Sequence, residues 1–405
     1  MFKGIGDIAQ DYRRQLMDEI IPFWQDRVLD EKHGGYFNYF TREGNLYDTL
    51  KPGWFVGRTM HTFALFYNEI EKREKWLNIA SAGRKMLDGS FYAGAGRFNK
   101  MLDQNGKVLE GTTSIFTDCF AVKGLYEYIV ACGNSQEADL QLAEELSRHL
   151  FENMKSADIL LTECPHGLQK HTMTFMSLTV AQESRKVLGD KYQYVVDECI
   201  RRSLYEFASD EHQAAFEYIG MDGKPVLEGA GRILDPGHTM EALWFAMEEG
   251  MLSGNDSYIK RAGQVLDWVI DRSYDEAYGG FYHLSDIDGK AEKLNTVDYG
   301  PVKADWDCKI WWVQCEALLA LAMSAVLNNN ERHWQYFLKQ REFTETVFRD
   351  KEYGEWYAFA QPDGKKTLSN LKGFAGKGPY HVPRCILRLA LFLEKYNQTE
   401  RSIKK

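Results

Sequence analysis

The chain has 405 residues and a formal net charge of -10, so a nucleic-acid backbone is excluded as an expected partner. No apolar run reaches membrane-spanning length, and the start, Met1-Phe-Lys-Gly-Ile-Gly-Asp7, lacks the apolar core of a signal peptide. The 7 cysteines are scattered without Cys-x-x-Cys spacing, which leads us to expect a reduced, cytoplasmic protein with no zinc site.

Helical periodicity dominates the chain. It predicts about twelve helices, near 4–28, 54–72, 74–90, 114–133, 136–154, 171–188, 190–208, 237–252, 256–273, 306–328, 331–349 and 381–396. The links alternate in length. Those after even-numbered helices are short: Glu71-Lys72-Arg73, Gly133-Asn134-Ser135, Leu188-Gly189 and Asn328-Asn329-Asn330. Those before even-numbered helices are long, and most carry aromatic, strand-like residues followed by a tight turn. Examples are Tyr36–Phe40 before Glu43-Gly44, Arg97–Lys100 before Asn105-Gly106-Lys107, and Phe216–Tyr218 before Asp222-Gly223-Lys224. Phe281–His283 before Asp288-Gly289-Lys290 and Trp356–Phe359 before Asp363-Gly364-Lys365 repeat the pattern. Asn-Gly and Asp-Gly between such runs predict β-hairpins. Only the link near 155–170 lacks a clear one.

With only 9 prolines and no Ser/Gly-rich linker, we expect one repetitive domain over residues 1–405. Six helical hairpins with these links imply an all-α fold, an (α/α)6 barrel with short β-hairpins in the long loops at one end. Even helices would form its inner ring, with their N-termini at the hairpin-bearing end, where donors and positive dipole ends converge. An open α-solenoid presenting a protein-binding groove is the structural alternative.

Polar and aromatic groups recur at these inner-helix starts. The second helix opens Trp54-Phe-Val-Gly-Arg58 and the fourth Thr113-Ser-Ile-Phe-Thr-Asp118. The eighth opens Asp235-Pro-Gly-His238-Thr-Met-Glu241, the tenth Lys309-Ile-Trp311-Trp312-Val-Gln-Cys-Glu316, and the twelfth Gly378-Pro-Tyr-His381-Val-Pro-Arg384. Pro236 and Gly237 break the backbone ahead of His238. Glu241, three residues on, shares its face and is placed to orient the imidazole. The helix dipole at that position would keep a neutral base near pH 7. Trp311 and Trp312 point to different faces, so one of them belongs to the core. Asp118 is read as a partner of loop backbone. Arg58 and Glu316 could equally be structural ion-pair members, and His61 and His171 are left unassigned.

A histidine on either side of a substrate can remove a proton from one face of a carbon and return one to the other. Such two-base chemistry epimerises a carbon beside a carbonyl, with an arginine stabilising the enolate. It needs no metal or redox cofactor. An inverting glycosidase with Glu241, Glu316 and Asp118 as its carboxylates is the more distant alternative.

These motifs resemble the N-acylglucosamine 2-epimerase family, whose mammalian members are also called renin-binding proteins. The resemblance runs over about residues 31–396. It is carried by His33-Gly-Gly-Tyr-Phe, Trp54-Phe-Val-Gly-Arg58, Ser114-Ile-Phe-Thr-Asp-Cys-Phe120, Asp235-Pro-Gly-His-Thr-Met-Glu241, Trp311-Trp-Val-Gln-Cys-Glu316, Phe348-Arg-Asp-Lys-Glu-Tyr-Gly-Glu-Trp356 and His381-Val-Pro-Arg384. It implies an (α/α)6 barrel that interconverts N-acylglucosamine and N-acylmannosamine at C2 of the open-chain sugar. It also implies that His238 and His381 are the two bases, that Arg58 lies near the substrate oxygens, and that Glu241 and Glu316 orient the histidines and bind hydroxyls. Arg384 and Trp311 would complete the site. Cellobiose 2-epimerases of this fold carry a further histidine on the sixth helix where this chain has Phe175, which favours the N-acyl sugar branch. Cellobiose or mannose 2-epimerases and aldose–ketose isomerases remain the alternatives. ATP is a non-consumed activator of several family members, but no GxxxxGK[ST] loop occurs here to cradle its phosphates. The expected partners are a sugar and a second copy of the chain, with no nucleic acid and no membrane.

Overall fold

Twelve long helices carry the chain through the computed structural model, which describes residues 2, 4–289, 296–298, 303–365 and 371–403. They are α1 (Ile5–Gln15), α2 (Gly53–Glu69), α3 (Glu74–Leu87), α4 (Ile115–Ala131), α5 (Glu137–Asn153) and α6 (His171–Leu188). The second half holds α7 (Gln193–Arg201), α8 (Pro236–Ser253), α9 (Asp256–Ser273), α10 (Trp311–Leu327), α11 (Glu331–Val347) and α12 (His381–Ile403). Helix α1 continues through a π-helical segment, Leu16–Ile20, into Ile21–Gln25. The link before α6, which lacked a hairpin signal, forms the short helix Ala157–Glu163 and the strand Leu168–Lys170.

Burial separates the helices as their sequences do. Helix α10 is buried on every face from Trp311 to Val326, and α2, α4 and α8 are buried almost all round. Helix α3 instead buries a single stripe, Trp76, Ile79, Ala80, Gly83 and Leu87, at the spacing of one helical face.

The helices fall into two compact units. The first comprises residues 1–23, 203–372 and 381–405; the second comprises 24–202 and 373–380. In the first, α8 packs on α9 and α10, α10 on α11 and α12, and α12 on α1. In the second, α2 packs on α3 and α4, α4 on α5 and α6, and α6 on α7. The approach of α2 to α4 requires glycine: a Cβ on Gly57 would stand 2.2 Å from the Phe120 carbonyl.

Only two of the five turns marked in the sequence close a local pair of strands, although other local pairs form elsewhere in the long links. Tyr39–Thr41 pairs with Leu46–Asp48 across Gly44, and Met101–Leu102 pairs with Val108–Glu110 across Gly106. The Asp222-Gly223 turn closes a single bridge from Ile219 to Pro225. The other two runs pair with distant segments: Ser285–Asp286 with Ile233–Leu234, and Phe359–Ala360 with Lys309–Ile310. Asp288 and Gly289 still make a turn, but Lys290 lies outside the described residues. The turn signal is local, whereas strand pairing is settled by whichever edge the helices bring alongside.

One device recurs in these links that periodicity does not reveal. At Asp30, Asp275 and Asp350 the chain folds into the same tight turn. The aspartate N–H donates to the carbonyl five residues on, of Gly35, Gly280 and Glu355. Its own carbonyl accepts from Gly34, Gly279 and Gly354, and its Oδ1 accepts from N–H groups inside the turn. A buried lysine then grips each Oδ2: Lys51 on Asp30 at 2.9 Å, Lys309 on Asp275 at 2.8 Å, and Lys372 on Asp350 at 3.0 Å. Each pair closes a loop onto the segment that leads toward the next even-numbered helix.

Candidate active site

Helix α8 starts as its sequence dictates. Asp235 is the N-cap, its Oδ1 accepting the His238 N–H at 3.0 Å, and Pro236 occupies the first turn, where no N–H is needed. This places the His238 ring in the cap. Its Nδ1 lies 2.9 Å from Asp235 Oδ2 and 3.2 Å from Glu217 Oε2. Burial disfavours imidazolium, but the Asp235 and Glu217 carboxylates outweigh it and lift the His238 pKa from 6.5 to about 10. The expectation of a dipole-neutralised base is therefore corrected. A helix terminus carries about half a charge, and two full carboxylate charges at hydrogen-bond distance override it. The orienting group also differs from the one expected: Glu217 and Asp235 hold His238, and Glu241 is engaged elsewhere.

His381 opens α12, and its Nδ1 lies 2.7 Å from Glu316 Oε1 on α10. Glu316 is fully buried. It also accepts Arg384 Nη2 at 2.5 Å, and its other oxygen accepts Trp244 Nε1 at 2.8 Å. The same Arg384 Nη2 donates to Glu241 Oε1 at 2.7 Å. Glu241, Arg384 and Glu316 thus form a buried relay behind His381. His238 faces two carboxylates, whereas the two carboxylates on the His381 side share an arginine.

Trp312 links the two histidines. Its ring centroid is 5.0 Å from that of His238 and 5.7 Å from that of His381. The two imidazoles are therefore no farther apart than the sum of those distances, a span that suits one small substrate. Gly237 makes room for the indole, since a Cβ there would meet the Trp312 ring at 2.3 Å. Trp311 is buried edge-on against Phe359, with ring centroids 5.5 Å apart, and it is the neighbouring Trp312 whose ring meets both histidines. A helix places consecutive residues 100° apart, and the sequence alone does not say which of the two faces inward.

Arg58 belongs to the second unit. Its guanidinium lies over Phe120 at 4.0 Å, Tyr380 at 4.9 Å, Trp54 at 5.2 Å and Phe55 at 5.3 Å. Asp118 is a loop partner, its Oδ1 accepting Phe98 N–H at 2.8 Å and its Oδ2 accepting Arg97 Nε at 2.6 Å. His61 pairs with Glu183 at 3.1 Å, and burial drives its pKa down to about 3. His171 is buried edge-on against Phe175.

Among the described residues four sets of donors lie close enough to surround a cation, and two of them contain the histidines of the site: His238 with Glu217 and Asp235, and His381 with Glu241 and Glu316. In each, the histidine already bonds a carboxylate through Nδ1, and in the second Arg384 supplies the positive charge. Both sets are accounted for as carboxylate-held histidines. The same contacts disfavour the glycosidase reading, because Glu241 and Glu316 are both committed to Arg384. Glu217, Asp235 and Trp312 are the site groups that the sequence reading did not select. Asp235 carried a signal as an N-cap residue, whereas Glu217, 21 residues upstream in a loop, carried none.

The sequence model of the N-acylglucosamine 2-epimerase family matches residues 35–385. The rat N-acylglucosamine 2-epimerase is 28% identical over 387 residues, covering 92% of this chain and 88% of the rat protein. A cellobiose 2-epimerase from Bacteroides fragilis is 21% identical, covering 94% of this chain and 98% of that protein. The solved structure of cellobiose 2-epimerase from Spirochaeta thermophila superposes with a TM-score of 0.80 at 20% identity, covering 96% of this chain and 98% of that one. This likeness establishes the fold as an (α/α)6 barrel.

Proposed function

Because the chain belongs to the N-acylglucosamine 2-epimerase family, an isomerase family, we propose that it interconverts N-acetylglucosamine and N-acetylmannosamine by proton transfer at C2. The observation that carries this reading is the pair of histidines flanking Trp312, each with Nδ1 fixed by a carboxylate. Fixing Nδ1 orients the ring, so proton transfer is assigned to Nε2 of each. Opening of the sugar ring exposes the C1 aldehyde and acidifies the C2 proton. One histidine takes that proton, the carbanion delocalises into an enolate, and the other histidine protonates the opposite face.

The surroundings give the two histidines different resting roles. His238, beside two carboxylates, rests as imidazolium and is the donor in one direction. His381 takes the C2 proton in that direction, and its product form, with the charges exchanged, serves the reverse reaction. The substrate oxygens that carry the developing negative charge call for a cationic or hydrogen-bond-donating partner. As part of the same proposal the protein is a cytoplasmic homodimer. None of its seven cysteines is joined in a disulfide, as a reducing compartment would leave them, and sedimentation would test the dimer. Among the described residues no helix is long and apolar enough to cross a membrane.

The test is NMR in deuterium oxide with wild type, His238→Asn and His381→Asn. Each variant loses net epimerisation by about a hundredfold or more, yet one still exchanges the C2 proton of N-acetylglucosamine and the other that of N-acetylmannosamine. Loss of both exchanges in both variants, or normal epimerisation by His381→Asn, refutes the two-base mechanism. Accumulation of a ketose from wild type would instead favour an aldose–ketose isomerase.

A further inference from the structure

We propose that the buried Asp275–Lys309 ion pair is a positioning device for the site: it fixes the first turn of α10 and thereby the seat of Trp312 between the two histidines. The inference rests on the assignment of His238 and His381 as the proton-transfer groups.

Lys309 is fully buried, with its Nζ 2.8 Å from Asp275 Oδ2 and 3.9 Å from the centroid of the Tyr282 ring. Burial alone pulls the Lys309 pKa down, and Asp275 opposes it, leaving it at about 8. The lysine stands two residues ahead of α10. Its strand pairs with the Phe359–Ala360 strand, and Trp311 N–H then donates to Ala358 O at 2.9 Å. A second clip joins the Asp275 turn to α10: Gln314 Nε2 donates to Phe281 O at 2.8 Å, and Phe281 N–H donates back to Gln314 Oε1 at 3.0 Å. The start of α10 is thus held from both sides of Trp312, through Lys309 before it and Gln314 after it.

Trp312 has no slack to absorb a shift, because its ring fills the space a Cβ on Gly237 would need. Movement of this turn changes the contact with both imidazoles at once. Glu316, on the next turn of the same helix, moves with it and carries the hydrogen bond that orients His381. The Asp350–Lys372 pair has the same chemistry and the same burial. Its lysine, however, lies nine residues before α12, whereas Lys309 lies two residues before α10.

The experiment compares Asp275→Asn with Asp350→Asn, reading thermal midpoint, kcat, KM and C2 exchange in both directions. Both variants should lose thermal stability to a similar degree. Asp275→Asn should lower kcat and both exchange rates by about tenfold to a hundredfold, as expected for misplaced proton-transfer groups, with KM within about threefold. Asp350→Asn should keep kcat within about twofold of wild type. The double variant Asp275→Asn/Lys309→Met removes both charges and should regain stability without regaining kcat, because the anchor is still cut. It also carries the test if the single variant does not fold. The proposal is overturned if Asp275→Asn or the double variant has wild-type kcat, or if Asp350→Asn slows kcat as much as Asp275→Asn does. Failure of the two-base reading itself would show separately, in the histidine variants.

Discussion

Replacing Glu217 with glutamine keeps the shape of the side chain and removes one of the two charges beside His238. In the wild type those charges raise the His238 pKa from 6.5 to about 10 against the opposing effect of burial. The rise corresponds to roughly 5 kcal/mol in favour of imidazolium. The Glu217 oxygen is 3.2 Å from Nδ1 and that of Asp235 is 2.9 Å, so the two contributions are comparable. The His238 side chain is 23% exposed, and solvent screens part of each. The expected fall in Glu217→Gln is therefore about one to two pH units.

Two measurements follow the proton. In the first, the imidazole carbons of labelled histidine are titrated by NMR, with His238→Asn identifying the resonance. In the second, the pH profile is recorded in each direction. Where His238 donates, activity falls as the imidazolium is lost, so the alkaline limb of Glu217→Gln moves down by the same one to two units. Where it accepts, the variant is faster than wild type at pH 7, because more of it is neutral. Stability obeys the same linkage. The folded pKa lies above the ordinary value, so the stabilisation is complete below about pH 6.5 and is lost as the pH rises through about 10. Glu217→Gln should lose it at a correspondingly lower pH. A wild-type His238 that titrates near 6.5, or a variant whose profile does not move, would refute the electrostatic argument.

Two further substitutions separate chemistry from packing. Trp312→Phe, which loses the indole between the histidines, should lower kcat by about tenfold or more while the thermal midpoint changes little. Trp311→Phe should do the reverse, because that ring fills core against Phe359 and truncating it costs about 1–3 kcal/mol. Arg384→Met should destabilise the fold by about 3–5 kcal/mol, since it leaves Glu241 and Glu316 buried without their shared cation. Arg384→Met/Glu241→Gln should recover part of that loss in a denaturant titration.

Local physics made much of the protein legible from its sequence. The period of apolar residues marked all twelve helices, because a helix buried all round and one buried along a stripe write different patterns. The alternation of link lengths gave the pairing of helices and hence the barrel. Asp235-Pro-Gly preceding His238 announced a helix start, since cap and proline act within one turn. The places of His238 and His381 in the first turns of their helices are legible from the sequence in this way. The electrical state of those residues was decided only by tertiary structure. Glu217 reaches His238 from a loop, Arg384 on α12 joins Glu241 on α8 to Glu316 on α10, and Lys309 meets Asp275 across 34 residues of chain. The choice between Trp311 and Trp312 likewise depended on which neighbours stood beside each indole. Periodicity records only whether a position is buried. A partner's charge acts through space at hydrogen-bond distance, and the fold alone decides which distant residues come that close.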